Sequence, residues 1–125
     1  MTTSLTPCPA TPNCVCSDAS KALHAIDPLY PMEDLNATWT ALQAHLQTLP
    51  RVTITRREDA YLATEFRTRL LRFTDDVEFE LRPAQGVIAM RSASRVGISD
   101  LGANRARLEA LREALIALGT VRARP

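Results

Sequence analysis

Chemistry concentrates in residues 91–108. That stretch carries the hydroxyls of Ser92, Ser94 and Ser99 and the guanidinium groups of Arg91, Arg95, Arg105 and Arg107. The carboxylate of Asp100 and the amide of Asn104 lie among them, with Gly97 and Gly102 between. Its start reads as a strand, its middle as a short polar loop and its end as a helix. The N–H groups at a helix start have no partners within the helix and attract negative charge. Arginine adds a planar fork that grips a carboxylate or phosphate through two parallel hydrogen bonds. The set suits anion binding through Arg91, Ser92, Ser94, Arg95, Ser99, Asp100, Asn104 and Arg105. It also suits a packed hinge, the commoner use of such a loop. In that reading Ser99 or Asp100 caps the helix, Asn104 bonds to loop backbone, and Arg91 or Arg95 pairs with acidic groups.

Other candidates are sparser. Cys8, Cys14 and Cys16 fall close together, and with His24 they make a four-ligand metal set on paper. The spacing is not that of a zinc knuckle, so no metal or other cofactor is expected. A Cys8–Cys14 disulfide would close a small loop in an exported protein, whereas cytoplasmic thiols stay reduced. The expectation here is a proline-rich arm of reduced cysteines packed on the body. No basic residue is near enough in sequence to lower a thiol pKa for redox work. Asp75 and Asp76 are adjacent, so on a strand they point to opposite faces and do not converge as an acid–base pair. One of them could still pair with an arginine of 91–107. His24 and His45 sit in no Ser-His-Asp or Cys-His arrangement, and Gly97 and Gly102 form no phosphate loop with a lysine.

The elements that must position these groups are readable from periodicity. Leu35, Trp39, Leu42, Leu46 and Leu49 recur at spacings of three and four, which predicts a helix over about 32–49 with Pro31 at its first turn and Pro50 ending it. Strand-like alternation follows at 52–55, 61–66, 76–82 and 87–92. The clearest run places Val77, Phe79 and Leu81 on one face and Glu78, Glu80 and Arg82 on the other. Connections this short require an antiparallel meander. Residues 69–73 read as a strand extension or an exposed bulge. Leu108, Leu111, Leu115 and Leu118 mark a second helix over about 101–118, with Gly119 just past its end. Extending that stripe back four residues turns Asn104 inward. Residues 1–31 hold five prolines and read as an irregular arm, and residues 120–125 as a frayed tail. The predicted fold is α+β. A four-stranded antiparallel meander carries two helices on one face, in the order α-β-β-β-β-α, within a single domain over 32–119. The opposite face, with Glu78, Glu80 and Arg82, is left to solvent or to a partner.

Composition narrows the function. A chain of 125 residues suits one domain with a real core. A net charge of +1 gives no basic surface for nucleic acid, so no nucleic-acid partner is expected. Nothing approaches the ~18 consecutive apolar residues of a membrane helix, and the first residues have no secretory signal. A soluble cytoplasmic protein is the resulting expectation. Lys21 is the only lysine; the other basic residues are arginines.

Three segments together resemble a known family. They are the Cys8-Pro9-Ala10-Thr11-Pro12-Asn13-Cys14-Val15-Cys16-Ser17 run, the Arg72-Phe73-Thr74-Asp75-Asp76-Val77-Glu78-Phe79 run, and 91–107. The family is domain of unknown function 1499, and the likeness extends from about Cys8 to Leu118. Its members usually carry serine where this chain has Cys16. The resemblance implies the domain and its important segments, and no substrate. The best functional expectation is a non-enzymatic domain binding an anionic small molecule or an acidic partner at the 91–105 junction. One alternative is a hydrolase-like enzyme using Asp100 or Asp76 with an arginine, although no activated nucleophile is present. Another is an interaction module using the polar sheet face or the Leu70-Leu71 pair.

Overall fold

The computed structural model describes residues 5–70, 72–96 and 102–125. Seven strands and two helices follow in the order β1 (Cys14–Cys16), β2 (Tyr30–Pro31), α1 (Leu35–Thr48), β3 (Val52–Glu58), β4 (Tyr61–Arg67), β5 (Thr74–Arg82), β6 (Val87–Ser94), α2 (Ala103–Ala117) and β7 (Val121–Arg122). The expected meander β3-β4-β5-β6 is present, and every pairing in it is antiparallel. A fifth strand, β1, adds to its edge against β6, with Val15 opposite Ser92 and Cys16 opposite Arg91. β2 and β7 make a separate two-stranded sheet.

Strand parity decides what each face holds. Leu62, Val77, Phe79, Leu81, Ile88 and Met90 share one face and are buried. Leu42 and Leu46 of α1 and Leu108, Leu111 and Leu115 of α2 complete that core, so both helices cover the same face. Each fully buried leucine contributes about 1.5–3 kcal/mol relative to exposure, which makes this face the main source of stability.

Several boundaries move for physical reasons. Asp34, not Pro31, starts α1: its Oδ2 accepts the Ala37 N–H at 2.8 Å. Pro31 instead pairs with Val121 in the small sheet. That pairing buries Val121 completely and corrects the expectation that the tail frays there. Gly102 is the N-cap of α2, at φ 81°, a left-handed conformation that glycine adopts without a Cβ penalty. Neither Ser99 nor Asp100 holds that position, and both lie outside the described residues. At the other end Gly119 donates to the Ile116 carbonyl and Thr120 to that of Leu115, closing the helix in a Schellman turn. Leu118 falls on that turn and is exposed, so the stripe ends at Leu115. The ambiguous stretch after β4 is a loop with Leu70 outward; Leu71 lies outside the described residues.

The largest correction concerns the second sheet face, which is open to solvent only in part. The arm crosses it, and Leu5, Cys16, Tyr61 and Ala89 form a small buried cluster there with Cys8 and Ala19 against it. Glu78, Glu80 and Arg91 are consequently buried. No helix among the described residues is long and apolar enough to cross a membrane.

Candidate functional site

The 91–108 stretch divides between the two faces because β6 alternates. Ser92 and Ser94 point to the helix side, while Arg91 and Arg95 point to the other. On the helix side a buried network forms around Asn104, which is fully buried, as the leucine stripe predicts. Ser92 Oγ donates to Asn104 Oδ1 at 2.5 Å, and Asn104 Nδ2 donates to Ser94 Oγ at 2.9 Å and to the Asn13 carbonyl at 3.1 Å. Arg107 Nη1 donates to Ser92 Oγ and Asn104 Oδ1 at 3.1 and 2.8 Å, and its Nη2 reaches Asp75 Oδ2 at 2.6 Å. The guanidinium also lies over the Phe66 ring, 5.4 Å from its centroid. Three elements, β5, β6 and α2, and the segment before β1 are thus joined by one set of bonds.

The predicted arginines do not converge. Arg91 Nη1 donates to buried Glu78 Oε2 at 3.1 Å, and Tyr61 Oη donates to Oε1 of the same carboxylate at 2.9 Å. Burial, then that hydrogen bond, pushes the Tyr61 phenol from its ordinary 10 up to about 12. Arg95 sits on the exposed part of the second face and forks onto Asp76 at 2.9 and 2.8 Å, with Glu65 at 2.8 Å. Arg105 turns to the Ala25, Ala22 and Leu23 carbonyls. Both aspartates of the Asp75-Asp76 pair do meet arginines of the 91–107 segment, Arg107 and Arg95, on opposite faces. Among the described residues, Ser92, Ser94, Asn104 and Arg107 pack as a hinge between β6 and α2.

The residues that sequence reading missed form the open side of this hinge. Next to Arg107 lies a cleft of about 400 Å³ lined by Arg51, Arg67 and Arg69 with Leu49, Val52 and Phe66. Arg51, Arg67 and Arg72 line a neighbouring hollow with Thr53, Thr74 and Glu65, whose carboxylate is bound by Arg95. No acidic side chain among the described residues pairs with Arg51, Arg67, Arg69 or Arg72. Arg51 and Arg72 both hold φ near +60°, at 62° and 57°, where a side chain costs about 1–2 kcal/mol. Asp75 and Arg107 carried a signal: Asp75 shares parity with Val77 and Phe79, and Arg107 follows Asn104 by three. Arg51 comes from the turn before β3, and Arg67 and Arg69 from the end of β4 and the loop after it; only the meander brings them together, so no spacing announces them.

The cysteines overturn one expectation. Cys8 and Cys14 are joined as a disulfide, with Cα atoms 5.7 Å apart, and Cys16 is a buried free thiol. The arm is therefore not a set of reduced cysteines. With both sulfurs bonded to each other, Cys8, Cys14, Cys16 and His24 cannot form a four-ligand metal set. His24 Nδ1 lies 2.9 Å from the Cys14 carbonyl, an acceptor, so that nitrogen carries the proton. Among the described residues no group of three His, Cys, Asp or Glu side chains is placed to hold a metal.

An antiparallel sheet with both helices on one face and a disulfide-tied arm on the other defines a small two-layer α+β domain with a basic cleft at the sheet end. The chain belongs to the family described as protein of unknown function (DUF1499), whose sequence profile it matches over residues 4–115. The match includes the hinge, the cleft arginines and the disulfide. No curated protein and no solved structure matches the chain.

Proposed function

We propose that the protein is a non-enzymatic domain that binds an anionic small molecule or an acidic partner, with the 91–107 hinge forming the back wall of the site. The observation that carries this is the cleft of Arg51, Arg67 and Arg69, cations without carboxylate partners among the described residues. The hinge contributes Arg107. Ser92, Asn104 and Asp75 hold its guanidinium in place, so little ordering remains to be done on binding. Asp75 offsets the charge of Arg107, and the attraction for an anion comes from the other three. Left-handed backbone at Arg51 and Arg72 adds weight, because strain of this kind gathers at functional sites.

The hydrolase alternative is less well supported. Asp76 is forked by Arg95, and Ser92 Oγ donates to an amide oxygen with no base beside it. The interaction-module reading has one observation in its favour: Leu70 is 89% exposed at a loop tip beside Arg69. The disulfide favours an oxidising compartment over the cytoplasm as the setting.

Titration calorimetry with inorganic phosphate, sulfate and citrate tests the proposal. The expected result is saturable binding of at least one anion, weakened at least about fivefold in Arg67→Ala/Arg69→Ala, the loss of one or two charge-assisted bonds. Arg95→Ala, on the other face, binds as wild type. No binding by the wild type, or equal binding by the cleft variant, refutes it.

A further inference from the structure

The arm borders a second, open cavity on the opposite sheet face. Its volume is about 540 Å³, within the range of small-molecule pockets, and its walls include Leu5, Pro7, Cys8, Cys16, Lys21 and His24. Two features point to what it takes. One is a disulfide bond that reaches the wall through one end only: Cys8 is half-buried and lines the cavity, while Cys14 is fully buried. The other is Lys21, the chain's only lysine, which has no acidic partner among the described residues. The cavity's one acidic residue, Asp18, is already forked by Arg82 at 2.5 and 2.7 Å.

We infer that this cavity is a thiol–disulfide exchange site for a low-molecular-weight thiol bearing a carboxylate. Lys21 receives the carboxylate and Cys8 Sγ receives the sulfur. The incoming thiolate attacks Cys8 Sγ, a new S–S bond forms there and the Cys8–Cys14 bond breaks. Its electron pair leaves on Cys14, which takes up the proton the small thiol lost. One disulfide is consumed and one is made, so no other oxidant or reductant enters.

The fold assigns the roles of the three cysteines. Cys14 is the leaving group because attack falls on Cys8, the end of the bond that lines the cavity, while fully buried Cys14 is held in place by the pairing of β1 to β6. Cys8 belongs to the arm, outside any strand, and can carry an adduct away. Cys16 borders the same cavity yet does not compete: burial raises its thiol above the ordinary value and keeps it protonated. The nucleophile therefore comes from outside.

The oxidised protein is incubated anaerobically with 3-mercaptopropionate or 2-mercaptoethanol, quenched in acid, alkylated and mapped by mass spectrometry. The expected adduct is on Cys8 with Cys14 newly alkylated, and it persists in Cys16→Ser. Corrected for thiolate fraction, the carboxylate thiol reacts faster, and Lys21→Ala removes about two- to fivefold of that preference, the size of an exposed ion pair. An adduct on Cys14 or Cys16, its loss in Cys16→Ser, no reaction, or a preference that is absent or unchanged in Lys21→Ala overturns the inference.

Discussion

Ser92 on β6 and Asn104 on α2 are both fully buried and meet at 2.5 Å, one of several hydrogen bonds that tie the last helix to the sheet. Around it Asn104 accepts from Arg107 and donates to Ser94 and to the Asn13 carbonyl. Removing the amide leaves buried donors and acceptors unpaired, at about 1–3 kcal/mol. Asn104→Ala is expected to lose that much stability. Asn104→Leu does not recover it, since apolar volume satisfies none of those groups. Urea unfolding of both variants checks this; a wild-type midpoint and slope in either one contradicts it.

The buried Arg91–Glu78 pair makes a different prediction. Arg91→Ala strands the Glu78 carboxylate, and the expected cost is about 3–5 kcal/mol. Arg91 Nε and Glu80 Oε2 have no hydrogen-bond partner, so this polar layer is incompletely satisfied. The double change Arg91→Met with Glu78→Leu is therefore expected to be more stable than Arg91→Ala alone. Thermal unfolding of the single and double variants decides the order.

Tyr61 gives the protein an alkaline limit. Below pH 10 the phenol is neutral whether the chain is folded or not. From 10 to about 12 the unfolded chain loses a proton that the folded chain keeps, so stability falls as pH rises through that window. Tyr61→Phe cannot ionise and flattens the slope there. Urea midpoints measured across the window should show a shallower decline for the variant; parallel declines count against the assignment.

The Cys8–Cys14 bond spans a separation of six residues. A loop that short contributes about 2 kcal/mol by limiting the unfolded chain. Cys8→Ser/Cys14→Ser is expected to unfold earlier in urea by that amount and to keep its anion affinity, because the arginine cleft lies on the other face. Loss of that affinity would show that the two faces are coupled.

Much of the fold was legible because it is written in local periodicity. Val77, Phe79 and Leu81 announce β5, and Leu108, Leu111 and Leu115 announce the buried side of α2, with Asn104 as the polar exception. What was illegible depends on distant partners. Cys14–Cys16 and Val121–Arg122 are too short to carry a pattern and become strands only where β6 and Tyr30–Pro31 offer free edges. Glu78 and Glu80 read as solvated because alternation reports which residues differ, not what lies above them. The site was legible in its hinge and not in its cleft. Parity separates Ser92 from Arg95, and tertiary closure alone gathers Arg51 with Arg67.

Arg105 and Arg112 lie seven residues apart on α2, and both turn to the segment between β1 and β2. Arg105 donates to the Ala22, Leu23 and Ala25 carbonyls, and Arg112 to those of Asp27 and Pro28, at 2.8 Å for the last. Those carbonyls have few strand partners of their own. During synthesis residues 14–31 leave the ribosome early, but their partners in β6, α2 and β7 are made last. The opening third of the chain therefore cannot complete these contacts until β6, α2 and β7 have been made.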